Sequence, residues 1–129
     1  MRIGVPKEIK NHEYRVGLTP ASVKELTLAG HRVSIETGAA SGIGVDDDTY
    51  RAVGATIAPS AAAIFADSEL IVKVKEPQVE ECRQLSEGQI LFTYLHLAPD
   101  RRQTDLLLES GVTAIAYETV TGPAGSLPL

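Results

Sequence analysis

Arg15, Lys73, Lys75 and His96 are the residues of this 129-residue sequence whose types and spacing could do chemistry. A planar guanidinium such as Arg15 holds a carboxylate through two parallel hydrogen bonds, which an ammonium cannot copy. A loop arginine is as readily a solvated one, and exposed ion pairs contribute little. Lys73 and Lys75 stand two apart in Val-Lys-Val-Lys-Glu-Pro, so strand alternation would put both on one face. The deeper Lys73 is costly to bury unpaired and is expected in a salt bridge with Glu76 or Glu118. Lys75 is expected to meet a ligand, because Pro77 stops the strand where an ammonium would face a crevice. Taken alone, His96 between Leu95 and Leu97 could equally be a packed, hydrogen-bonded residue. Beside an arginine and a lysine it joins a group titrating near neutrality to two anion anchors. That set suits a small anionic substrate whose reaction needs proton transfer.

Positioning these residues requires elements that bring four distant loops to one place. Short β-branched runs recur at Arg2 to Val5, Arg32 to Glu36, Ala55 to Ala58, Leu70 to Val74, Gln89 to Thr93 and Val112 to Ala116, and read as strands. Between them the clearest helix has Thr19 as N-cap, Pro20 at the first turn, Val23 and Leu26 on one face and Gly30 as terminator. Further helices are expected over 47–53, 60–67, 78–85 and 100–110. Strands joined by helical crossovers pair in parallel, so the pattern predicts an α/β domain: a parallel sheet in a Rossmann-like or flavodoxin-like three-layer arrangement, with helices on both faces. In such sheets ligands bind beyond the carboxyl ends of the strands. Arg15, Lys75, His96 and the Tyr117-Glu118 pair all follow strands at that edge.

Several chemistries are excluded or made improbable by pattern. The run from Gly38 to Gly44 follows a strand but lacks the third glycine of a dinucleotide fingerprint, and Val-Asp-Asp after it would repel a pyrophosphate; it reads as a turn. Phosphate-loop, zinc-protease and nucleophile-elbow motifs are missing. Cys82 stands beside Glu80 and Glu81, which would raise its thiol pKa, and reads as inert. His12 and His31 read as an exposed loop residue and a helix-end residue. No cofactor-binding or metal-binding residue is assigned. Twelve basic against seventeen acidic residues give a net charge of −5, without any basic stripe, so nucleic acid and anionic membrane are not expected partners. No apolar run reaches membrane-spanning length, no secretory signal is visible, and a single cysteine suits a reducing compartment, so a soluble, cytoplasmic protein is expected.

The sequence ends in Gly/Pro-rich TVTGPAGSLPL, which reads as a linker or a cut rather than a domain end. One domain over residues 1–129 is therefore expected, with further chain beyond it.

Five segments carry a resemblance. MRIGVPKEIKNHEYRVGLTP at 1–20, ETGAASGIGVDD at 36–47, VKVKEP at 72–77, LFTYLHLAPD at 91–100 and GVTAIAYETV at 111–120 resemble bacterial alanine dehydrogenase, within the alanine dehydrogenase and pyridine nucleotide transhydrogenase N-terminal domain family. The resemblance implies that residues 1–129 form most of the substrate-binding, catalytic domain. The NAD-binding domain, and a returning segment that completes the first domain, would lie outside this chain. It places the substrate carboxylate on Arg15, the keto oxygen on Lys75 and proton transfer on His96. The implied reaction is reversible NAD-dependent oxidative deamination of L-alanine to pyruvate and ammonium, in alanine catabolism, by a homo-oligomer, commonly a hexamer. Two alternatives stay open. One is the soluble NAD(H)-binding part of nicotinamide nucleotide transhydrogenase, which resembles the first forty residues without sharing the histidine. The other is a non-catalytic binding or assembly module.

Overall fold

The computed structural model describes residues 1–128. Six strands, β1 (Arg2–Val5), β2 (Arg32–Glu36), β3 (Thr56–Ala58), β4 (Leu70–Val72), β5 (Ile90–Thr93) and β6 (Thr113–Ala116), form one sheet in the order β3-β2-β1-β4-β5-β6. Every neighbouring pair is parallel. Five helices make the crossovers: α1 (Pro20–Leu28), α2 (Asp47–Ala52), α3 (Ala61–Asp67), α4 (Val79–Cys82) and α5 (Arg101–Ser110). The expected parallel α/β architecture is therefore present.

Local chemistry accounts for the element ends. Thr19 accepts from the Ser22 N–H, Asp46 from Thr49, Ser60 from Ala63 and Asp100 from Gln103, so four helices begin on a capping side chain. Gly111 ends α5 in the left-handed conformation.

Packing divides the interior into two layers, one on each side of the sheet. Ile3, Val5, Val33, Ile35 and Val72 bury with Val23 of α1 and Tyr50 of α2. Ile71 and Leu91 bury with Ile64 and Phe65 of α3, Cys82 of α4 and Leu107 of α5. Adjacent Ile71 and Val72 thus point to opposite faces, as a central strand requires. Gly4 of β1 faces α3 so closely that a Cβ there would lie 2.1 Å from Ser68 Oγ and 2.7 Å from Ile64 Cγ2.

Two expectations are corrected. β4 stops at Val72 rather than Val74: backbone bonds to the β5 side continue from the Lys73 N–H to the Phe92 carbonyl and from the Tyr94 N–H to the Val74 carbonyl, but the Val74 N–H donates to the Glu8 carboxylate at 2.7 Å. Neither lysine therefore lies within β4. The helix expected over 78–85 contracts to Val79–Cys82, capped by reciprocal bonds between Gln78 and Glu81.

Candidate functional site

The sheet order reverses direction between β1 and β4, the place where ligands bind in open parallel sheets. The loop after β1, residues 6–19, reaches across this edge. Gly17 seats it against the backbone after β4, where a Cβ would lie 2.6 Å from the Val72 carbonyl oxygen. Glu8 ties its near end to Lys73 Nζ at 3.1 Å and to the Val74 N–H at 2.7 Å.

Lys73 is completely buried and bonded to two carboxylates, Glu8 at 3.1 Å and Glu81 at 2.7 Å. The expected salt bridge exists, but its partners are not Glu76 or Glu118. The crossovers bring Glu8 of the first loop and Glu81 of α4 beneath the crevice, whereas Glu76 and Glu118 turn toward other groups. Burial pushes the Glu81 carboxyl up, against the pull of the Lys73 ammonium. Lys73 is thus structural: it joins the loop after β1 to α4.

Lys75 and His96 line one open cavity of about 570 Å³ with Lys10, Glu76 and Glu118. Lys75 has no carboxylate partner among the described residues; its Nζ lies 5.8 Å from the centre of the Tyr94 ring. The His96 ring lies parallel to the same Tyr94 ring, with centroids 5.6 Å apart and the planes 5° from parallel. Its Nδ1 lies 3.1 Å from Glu76 Oε2, and Glu76 Oε1 accepts from Lys10 Nζ. Partial burial pushes the Glu76 carboxyl up, and hydrogen bonds from Lys10 and His96 more than offset it, so it stays ionised below its ordinary range.

The backbone of His96 is itself unusual, with φ +46° in the left-handed region. Glu118, just past β6, holds it there. Its carboxylate accepts the Leu95 N–H at 3.0 Å and the His96 N–H at 2.8 Å. Gln103 of α5 donates to the Leu95 carbonyl at 2.8 Å and closes the loop from the other side.

Arg15 lies in an adjoining cavity of about 400 Å³, with Glu13 and the Ser41 and Gly42 turn. Both its Nε and Nη2 donate to Glu13, at 2.9 Å and 2.6 Å. The Arg15 hydrogen bonds, with a lesser contribution from the charge of Lys75, hold the Glu13 carboxyl down at about 2. Arg15, Glu13 and Lys75 therefore share one electrostatic neighbourhood, although Arg15 is not in the same cavity as His96. Glu13, two residues away, occupies the Nε/Nη2 edge of the guanidinium and leaves Nη1 without a partner among the described residues.

Glu8, Glu13, Glu76 and the capping role of Glu118 escape sequence reasoning. Each is one acidic residue among seventeen, and only Glu118 and Glu76, following strands, carried any positional signal.

The described residues do not form a dinucleotide cradle at the Gly38–Gly44 turn. The Gly38 N–H and the Thr37 hydroxyl both donate to Asp47, at 2.9 Å and 2.7 Å. A pyrophosphate would meet an ionised carboxylate where it needs donors. No group of three or more His, Cys, Asp or Glu side chains that could hold a metal occurs among the described residues, and no described helix is long and apolar enough to cross a membrane.

Comparison with known proteins identifies the family. Residues 4–129 match the family described as alanine dehydrogenase/PNT, N-terminal domain. The chain is 55% identical over all 129 residues to an alanine dehydrogenase of Halomonas elongata, of which it covers 35%. Among solved structures, an L-alanine dehydrogenase superposes with a TM-score of 0.96 at 54% identity, over 99% of this chain and 35% of that one. A transhydrogenase from Sinorhizobium meliloti superposes with a TM-score of 0.85 at 26% identity, over 92% of this chain and 35% of that one. The chain thus spans about a third of the length of the curated relatives it matches.

Proposed function

We propose that this chain, which belongs to the alanine dehydrogenase/PNT N-terminal domain family, is the substrate-binding part of an NAD-dependent L-alanine dehydrogenase. The observation that carries the reading is Lys75 and His96 facing one cavity, the lysine without a carboxylate partner and the histidine ring held by Glu76. An uncompensated ammonium beside an imidazole suits a small keto acid that must gain or lose a proton.

The overall reaction is L-alanine, NAD and water giving pyruvate, ammonium, NADH and a proton. Lys75 binds the substrate's keto oxygen. His96 moves protons to and from the attacking water and the carbinolamine oxygen. Arg15 takes the carboxylate on the Nη1 side of its guanidinium, which Glu13 leaves open. NAD supplies the hydride acceptor when bound, from a domain outside residues 1–129, since the turn at Gly38–Gly44 does not suit a pyrophosphate.

A second part of the protein is also favoured by an open apolar groove beside α1, lined by Leu18, Leu26, Val72, Phe92, Tyr94 and Tyr117. This surface matches the need for a returning segment to complete the domain. Assembly as a homo-oligomer, hexameric in the family, and residence in the cytoplasm complete the reading. The isolated chain is expected to hold pyruvate weakly or not at all, because its crevice has one wall.

The test is an assay of the complete reading frame with L-alanine and NAD, following NADH, with Lys75→Ala and His96→Ala alongside. Turnover that both substitutions abolish without unfolding supports the dehydrogenase. Absence of turnover in the unsubstituted protein leaves a binding module, and turnover between two nicotinamide nucleotides without alanine favours a transhydrogenase.

A further inference from the structure

We propose that Glu76 is the positioning residue for His96: its carboxylate accepts a hydrogen bond from Nδ1–H, orients the ring and leaves Nε2 as the atom that exchanges a proton with substrate. The inference rests on the reading of His96 as the proton-transfer group. An imidazole has two chemically distinct nitrogens, and the hydrogen bond made by one decides which form of the other faces the reaction. Here Nδ1 lies 3.1 Å from Glu76 Oε2. With Glu76 ionised, that nitrogen carries the hydrogen, and Nε2 of the neutral ring is an acceptor.

Glu76 is itself fixed from two sides. Its second oxygen accepts from Lys10 Nζ of the loop after β1, and its carbonyl accepts from Gln78 Nε2 at 3.0 Å at the start of α4. The side chain of Glu76 is mostly buried, at 13% exposure, while the ring of His96 is 43% exposed. An otherwise mobile imidazole is thereby held by a carboxylate that cannot readily leave. Tyr94 lies parallel to the ring, with centroids 5.6 Å apart, and flanks it on one side. The backbone is held independently by Glu118, so ring orientation and loop position are set by separate carboxylates and can be tested separately.

The experiment uses the complete enzyme and measures kcat and KM for L-alanine in Glu76→Ala, Glu76→Gln, His96→Ala and the double variant Glu76→Ala/His96→Ala, with thermal unfolding of each. The expected result is a loss of about 10- to 100-fold in kcat for Glu76→Ala, with KM changed less than threefold. Glu76→Gln, which still offers Nδ1–H an acceptor, should recover a substantial part. The double variant should be no slower than His96→Ala, since Glu76 acts through the ring. Glu76→Ala retaining kcat within threefold while His96→Ala is inactive would overturn the role of Glu76 and leave His96 intact. So would a double variant clearly slower than His96→Ala. Full turnover in His96→Ala would instead remove the reading on which the proposal rests. If Glu76→Ala does not fold, the near-isosteric Glu76→Met, which offers Nδ1–H no carboxylate or amide oxygen, decides the matter: kcat within threefold of the unsubstituted enzyme sinks the proposal.

Discussion

Arg15 grips Glu13 at two points, Nε on Oε1 at 2.9 Å and Nη2 on Oε2 at 2.6 Å, and the Arg15 backbone N–H adds a third bond to the same carboxylate at 2.9 Å. A carboxylate held by a guanidinium keeps its charge in acid, and Glu13 is held down at about 2 against an ordinary 4.5. The folded state therefore binds fewer protons than the unfolded chain between these values. Stability from this pair is fully present above pH 4.5 and is lost as pH falls toward about 2. Urea midpoints at pH 5 and pH 3 are expected to fall less in Glu13→Gln than in the unsubstituted protein. Equal falls would mean that the pair does not stabilise the loop.

Removing the ammonium of Lys73 leaves Glu8 and Glu81 buried and uncompensated. Breaking a buried ion pair from one side costs about 3–5 kcal/mol. Lys73→Met is expected to lose that much in urea denaturation, and Lys73→Met combined with Glu8→Gln and Glu81→Gln to regain part of it. A loss below about 1 kcal/mol, the range of exposed pairs, would contradict the buried triad.

Gly17 is required by space rather than by conformation. An added Cβ would sit 2.6 Å from the Val72 carbonyl oxygen, and backbone on a sheet yields less than a side chain tip. Gly17→Ala is expected to cost about 1–3 kcal/mol through overpacking. Because the displaced loop carries Arg15, KM for L-alanine should rise more than kcat falls. Unchanged stability and KM would show that the loop relaxes freely.

Glu118 holds the two N–H groups that lock the His96 backbone in a left-handed conformation. Partial burial pushes its carboxyl up, and these N–H donors more than compensate, leaving it below the ordinary range. Glu118→Ala is expected to lower kcat about 10- to 100-fold by letting the imidazole drift, with the protein still folded by circular dichroism. Full activity would separate the loop conformation from catalysis.

Burial, followed by the charge of Glu81, pushes the Cys82 thiol up to about 11. Thiolate is the reactive form. Alkylation by iodoacetamide at pH 8 is expected only after urea unfolding. Rapid labelling of the native protein would show that α4 opens.

Much of the architecture was legible in order along the chain, because strands and helices advertise themselves through neighbours. Thr19 and Pro20 start α1 and Gly111 ends α5 by chemistry confined to a few residues. β-branched runs alternating with such helices leave little besides a parallel sheet, and a parallel sheet puts the loops bearing Lys75 and His96 at one edge. The pairing of charges was not legible. Glu8 is 65 residues from Lys73, Glu76 is 20 from His96, and Glu118 is 22 from the same histidine. Which acid meets which base depends on where the crossovers deliver each loop. Glu8, arriving from the loop after β1, takes the Val74 N–H just beyond β4. Residue type sets what a side chain can do; only the packed chain determines its partner, because a hydrogen bond is decided by distances of a few ångströms between residues remote in sequence.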